Sequence, residues 1–165
     1  MLIIIEVSAF LHLPEICRRF NKNKVKYVLV GGCAVILHGL PRETMDIDFV
    51  IEVSRENIEN IKKALKDIVP EIEELNFDLL KEYDRKKGVI RIGTDKNFYI
   101  DLLPRIADIT YEKLIKNAEI MKVNDEEVKV AGLDDLIETK KTVREQDKKD
   151  LLFLIGRKEY LSKND

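Results

Sequence analysis

The sequence predicts an α+β domain in which helices pack on a small sheet. Three observations carry that expectation. Apolar runs suited to strands alternate with segments of helical spacing, in a mixed order along the chain. The 165 residues, 45% of them hydrophobic, suffice for one substantial core and are too few to argue for two. No internal repeat, low-complexity tract or Gly/Ser linker interrupts them. The expectation is one unit over residues 1–165, with its core at about 25–131 and C-terminal helices at about 133–161.

The opening MLIIIEV is apolar but lacks a basic flank and falls well short of a membrane span, so it reads as a packing strand or arm. Pro14 to Phe20 has helical spacing with proline at the start, closed by the Asn-Lys-Asn-Lys run that follows. Val25 to Val30 reads as a buried strand. Cys33 to Leu40 reads as a short helix whose N-terminus lies against Gly31-Gly32 and which Gly39 and Pro41 end. Asp46 to Val53 resumes a strand. Ser54, Glu56 and Asn57 resemble a helix start, and Ile58, Ile61, Leu65 and Ile68 continue the helical spacing up to Pro70. The stretch from Glu71 to Lys87 carries no clear period. GVIRIG and FYIDLL read as two strands joined by a turn around Thr94 to Asn97, with Asp101 between Ile100 and Leu102. VNDEEVKV reads as a hairpin about Asn124-Asp125, and from Leu133 the chain reads as helical to near Leu161 with a break about Glu145.

Charged residues make up 36% of the chain against roughly 25% in an ordinary domain, so the surface is dense in charge. A net charge of −2 gives no global reason to expect a nucleic-acid coat protein, although a local basic patch stays open. Cys17 and Cys33 lie far apart without a CxxC pair or zinc spacing. They read as reduced, buried thiols of a cytoplasmic protein with no membrane role.

Residues two apart in a strand share a face, so Asp46 and Asp48 project together while Ile47 turns to the core. Two such carboxylates can converge on a hard cation, and Asp101, the polar exception in its apolar run, is the candidate third. Bound cations would also explain why two like charges head a run as apolar as Phe49-Val50-Ile51. The paired glycines let backbone approach a ligand, and a helix starting there offers N–H groups to phosphate. Each part has an ordinary counterpart. An Asp-x-Asp pair alone is commonly a solvated face, and Gly-Gly alone a turn, since neither a GxxxxGK[ST] loop nor GxGxxG is present. His38 alone suits a helix end or core, and Lys140, Lys141 and Arg144 suit a solvated helix face. The ordered combination is far rarer than any member.

The run VGGCAVILHGLPRETMDIDFVI, with Gly31-Gly32, His38-Gly39, Arg42, Thr44, Asp46 and Asp48, resembles the signature of the nucleotidyltransferase superfamily related to DNA polymerase beta. It looks like the small prokaryotic branch that includes abortive-infection type toxins and lincosamide or aminoglycoside nucleotidyltransferases. FYIDLLPRI resembles the strand of the third carboxylate, and GLDDLIETKKTVREQDKKDLLFL the downstream Lys and Arg-x-x-Asp-x-x-Asp helices. Many relatives carry a serine in or just after the glycine pair, where this chain has Gly32 and Cys33. The interval from Lys140 to Arg144 is a residue shorter than the common pattern, which brings Lys141 in as an alternative phosphate partner.

The resemblance implies a nucleotidyltransferase fold with a small mixed sheet. It implies attack of a hydroxyl acceptor on the α-phosphate of a nucleoside triphosphate such as ATP, with pyrophosphate leaving. Asp46, Asp48 and Asp101 would be the catalytic metal ligands for two Mg²⁺, with Mn²⁺ as a substitute. Gly31, Gly32, Arg42, Thr44, Lys140 and Arg144 would bind the nucleotide. The acceptor would be RNA or tRNA, a protein or a small molecule, and a toxin–antitoxin partner protein is implied. Two other readings stand beside this one: a non-catalytic nucleotide-binding or toxin–antitoxin regulatory module, and an antibiotic-modifying enzyme.

Overall fold

In the first helix, α1 (Leu13–Lys22), Pro14 lies in the first turn, where its missing N–H costs nothing, and Leu13, Ile16, Cys17 and Phe20 form one buried stripe. The computed structural model describes residues 8–165, so the expectation for MLIIIEV lies outside the described residues. The buried strand β1 (Tyr27–Val30) follows, and then α2 (Gly31–Leu37). That helix begins on the glycines themselves rather than after them and ends earlier than its apolar run suggested, at His38. The His38 ring is buried, and its Nε2 donates to the Ala131 carbonyl at 2.9 Å, the role of a core histidine.

Strand β2 (Asp46–Ile51) precedes α3 (Arg55–Leu65), which Ser54 caps by accepting from the Asn57 amide. The helix stops five residues before Pro70, because the Ile68 and Val69 amides both turn back onto the Leu65 carbonyl. The unperiodic stretch holds a helix, α4 (Phe77–Lys86), capped by Asn76 and ended by Lys87 at φ 54°. Only Leu80 of this helix is buried outright, which is why no stripe shows in its sequence.

Strands β3 (Ile90–Gly93) and β4 (Tyr99–Leu103) form the expected antiparallel pair. A small ribbon of β5 (Arg105–Ile106) and β6 (Ile109–Thr110), and the helix α5 (Tyr111–Asn117), are elements the sequence reading did not see. The hairpin of β7 (Glu119–Val123) and β8 (Glu126–Val130) turns at Asn124 and Asp125, both left-handed as a two-residue hairpin loop requires. Helices α6 (Leu133–Thr139) and α7 (Glu145–Lys163) are separated by the expected break.

The main sheet runs β3-β4-β2-β1-β8-β7. It is mixed, with β2–β4 and β1–β8 parallel and the remaining pairs antiparallel. Phe20, Tyr27 and Phe49 meet in its core with ring centroids 4.8 to 5.5 Å apart. Cys17 and Cys33 are free and buried, and burial pushes both thiols well above their usual pKa. The Cys33 thiol donates to the Asp46 carbonyl.

Buried Asn57 fastens the far end of β1 and β2. It accepts from the Lys26 amide at 2.8 Å and donates to the Lys26 and Glu52 carbonyls, each at 3.0 Å. Replacing it strands those groups, so Asn57→Ala should lower stability by about 2–3 kcal/mol. The check is a urea melt, with a lower midpoint at unchanged slope expected.

Candidate active site

Register builds the site. Asp48 of β2 pairs with Val30 of β1 on one side and with Asp101 of β4 on the other, and Asp101 pairs with Arg91 of β3. Val30, Asp48, Asp101 and Arg91 thus form one row across four strands spaced by roughly 4.8 Å. Asp46 lies two residues before Asp48 on the same face. The three acids expected from the sequence therefore meet at one end of the sheet, with Asp101 only 4% exposed.

The cost of that meeting is visible in the acids. Burial, followed by the charge of Asp101, raises the Asp48 carboxyl well above its ordinary range. Burial also raises Asp46, and the charge of Arg91 only partly offsets the rise. Arg91 grips Asp101 through Nε and Nη2, each at 2.9 Å, and its Nη2 reaches Asp46 at 3.0 Å. Its guanidinium also lies 4.9 Å above the Tyr99 ring. Those bonds to Asp101 raise the pKa of Arg91 further.

Sequence reasoning missed Arg91. The signal was present, because Arg91 is the lone charge between Ile90 and Ile92, as Asp101 is between Ile100 and Leu102.

As they stand, no three acid, histidine or cysteine side chains among the described residues form a ready metal cage, and Arg91 spans two of the three carboxylates. The donor set still fits a hard divalent cation. It consists of carboxylate oxygens alone, and the one guanidinium pairs with two of the three acids, leaving Asp48 without an ion pair among the described residues.

The glycine pair is dictated by the neighbours it admits. Gly31 has φ +68°, and a Cβ there would lie 2.2 Å from Asp48 Oδ2. A Cβ on Gly32 would lie 2.7 Å from Arg42 Nη2 and 2.9 Å from Thr44 Oγ1. Bare backbone at this turn is what lets Asp48, Arg42 and Thr44 close around it. The Thr44 hydroxyl donates to the Asp46 carbonyl at 3.2 Å and steadies the entry to β2.

Opposite the acids, α7 supplies a second set of charges. Fully buried Asp150 accepts from Arg42 Nη2 at 3.0 Å and from Gln146 at 2.9 Å, and it lies 3.0 Å from Lys140 Nζ. Asp147 accepts from Lys140 at 3.3 Å and from the Thr142 hydroxyl at 2.7 Å. Burial works to raise Asp147, yet the Thr142 hydroxyl and Lys140 together hold it below the usual carboxylate range. Lys140 is buried in this cluster, whereas Lys141 is exposed and pairs with Glu138. Arg144 is exposed at the start of α7, and Arg42 Nε is buried without a hydrogen-bond partner.

One cavity of about 860 Å³ is lined by all nine expected residues: Gly31, Gly32, Arg42, Thr44, Asp46, Asp48, Asp101, Lys140 and Arg144. Arg91 and Asp147 line it as well. Lys141 does not, which separates the two lysines that the sequence left as alternatives.

The profile of a family described as Nucleotidyl transferase AbiEii toxin, Type IV TA system, matches residues 17–118. That span holds the glycine pair and all three acids and leaves Lys140 and Arg144 outside. No curated protein matches the chain. Among solved structures, the lincomycin-bound lincosamide antibiotic adenylyltransferase LnuA aligns with a TM-score of 0.59 at 18% identity, covering 90% of this chain and 96% of that one. A candidate nucleotidyltransferase from Thermotoga maritima aligns with a TM-score of 0.53 at 16% identity, covering 92% and 86%. An antigenic nucleotidyltransferase-like protein from Paracoccidioides brasiliensis gives 0.53 at 16% identity, covering 89% and 75%. At these identities the likeness is one of fold.

Asp150 holds two cations in a buried setting, so its removal leaves charge uncompensated. Asp150→Ala should cost about 3–5 kcal/mol, measured by urea unfolding. Asp150→Asn, which keeps the shape and an acceptor oxygen, should cost less.

Proposed function

The chain belongs to the AbiEii nucleotidyltransferase family, and from that premise we propose that its cavity binds a nucleoside triphosphate with Mg²⁺ and moves the nucleoside monophosphate to a hydroxyl acceptor. The supporting observation is the row of acids at the glycine turn, facing a wall that carries Arg42, Lys140 and Arg144 across one cavity.

In this reading Asp46, Asp48 and Asp101 would hold the divalent ions, two Mg²⁺ with Mn²⁺ as a substitute. When bound, the ions supply charge neutralisation at the entering and leaving oxygens. Gly31 and Gly32 present bare backbone against which the triphosphate lies. Arg42 and Thr44 shape that side, and Arg144 at the rim meets phosphate charge. Lys140 adds positive potential from a position fixed by Asp147 and Asp150, which act as positioning residues. The acceptor oxygen forms its bond to the α-phosphorus, and the bond to the β-phosphate bridge breaks. Asp101 takes the hydroxyl proton, and pyrophosphate leaves.

The acceptor hydroxyl belongs to RNA, a protein or a small molecule. The family description names a toxin–antitoxin system, and an antitoxin partner follows from it for this chain. We place the reaction in the cytoplasm. Among the described residues no helix is long and apolar enough to cross a membrane.

The test supplies each α-labelled triphosphate with Mg²⁺ to the purified protein and offers cellular RNA, cellular protein and a lincosamide in parallel. Label should appear on one acceptor class, and Asp48→Asn should reduce transfer at least about a hundredfold while the fold persists by circular dichroism. Absence of transfer to every class, with no metal-dependent triphosphate binding, would overturn the proposal. Tight triphosphate binding without turnover would instead mark the protein as a nucleotide-binding module.

A further inference from the structure

Arg91 stands where the chemistry just proposed calls for a divalent ion. Its Nε and Nη2 take one oxygen each of Asp101, and Nη2 also takes Asp46 Oδ2. A guanidinium and a divalent cation cannot share the same two carboxylates without strong like-charge repulsion. We propose that Arg91 is a built-in counter-cation that occupies the acid cluster until divalent ions displace it, so that it sets the ion concentration at which the site becomes competent. The inference rests on the divalent-ion reading above.

Three features support displacement rather than permanent pairing. Arg91 lies on β3, the outermost strand at its end of the sheet, and its side chain is 52% exposed, so the guanidinium has solvent beside it to move into. The exposed Tyr99 ring beneath the guanidinium offers a surface that tolerates several orientations of the cation. Arg91 also pairs with only two of the three acids, and a divalent ion brings charge that Asp48 can share.

Once released, Arg91 remains tethered on the cavity wall, where a triphosphate carries the opposite charge. Ion and nucleotide therefore favour each other, since one expels the guanidinium and the other receives it.

The experiment measures Mn²⁺ binding without nucleotide, by electron paramagnetic resonance and calorimetry, on the full chain and its variants. Arg91→Ala should bind Mn²⁺ about tenfold or more tightly than the unaltered protein. Arg91→Lys, which keeps the charge but loses the fork, should fall between them. It carries the comparison if Arg91→Ala does not fold. Adding Asp48→Asn to Arg91→Ala should abolish the gain, which locates the ion at the acids. If Arg91→Ala binds Mn²⁺ equally or more weakly while Asp48→Asn still removes binding, the displacement proposal falls and the metal reading stands. If neither the unaltered protein nor Arg91→Ala binds Mn²⁺, both fall together.

Discussion

The site depends on one strand register. β2 and β4 run parallel with Asp48 directly beside Asp101, an arrangement in which two like charges face each other at sheet spacing. Such a pair opposes folding unless something positive enters, and every other feature of the cavity responds to it. Arg91 reaches across from the edge strand, the glycine turn leaves room for the Asp48 carboxylate, and cations line the opposite wall. Slipping β4 by one residue would send Asp101 to the other face and put Ile100 or Leu102 beside Asp48. The apolar residues flanking each acid resist that slip, since Ile47, Phe49, Ile100 and Leu102 are all buried. The hydrophobic core therefore enforces an electrostatically unfavourable contact, and the excess favours a cationic ligand.

A second constraint joins the ends of the chain. Asp150, in the second turn of α7, holds Arg42 from the loop before β2 and Lys140 from the break before its own helix. Segments 108 residues apart are thus pinned at one buried carboxylate. Asp150, joined by Asp147 at Lys140, holds these two long cations in the basic wall. Arg144, by contrast, lines the same cavity as an exposed cation.

Much of this was legible locally. The Asp46 and Asp48 pairing follows from period-two alternation, and Asp101 stood out as a charge inside an apolar run. The turn at Asn124-Asp125 was written in residues that accept left-handed backbone. What escaped was encoded between segments. Arg91 resembles any solvated charge on an edge strand until the register sets it opposite Asp101. Helix α4 buries one residue outright, so it leaves no periodic signature, and α5 is a single short stretch following a two-residue ribbon. Lys140 and Lys141 are equivalent in composition, and only the path of the break between α6 and α7 sends one inward and the other out.

Both cysteine sulfurs lie in the interior, one on α1 and one on α2 against the start of β2. With their protons held so firmly, almost no thiolate exists at neutral pH to attack electrophiles or peroxides. Burial of both thiols thus disfavours the form that oxidants and alkylating agents attack, and modification at either one would report that the helices had parted from the sheet.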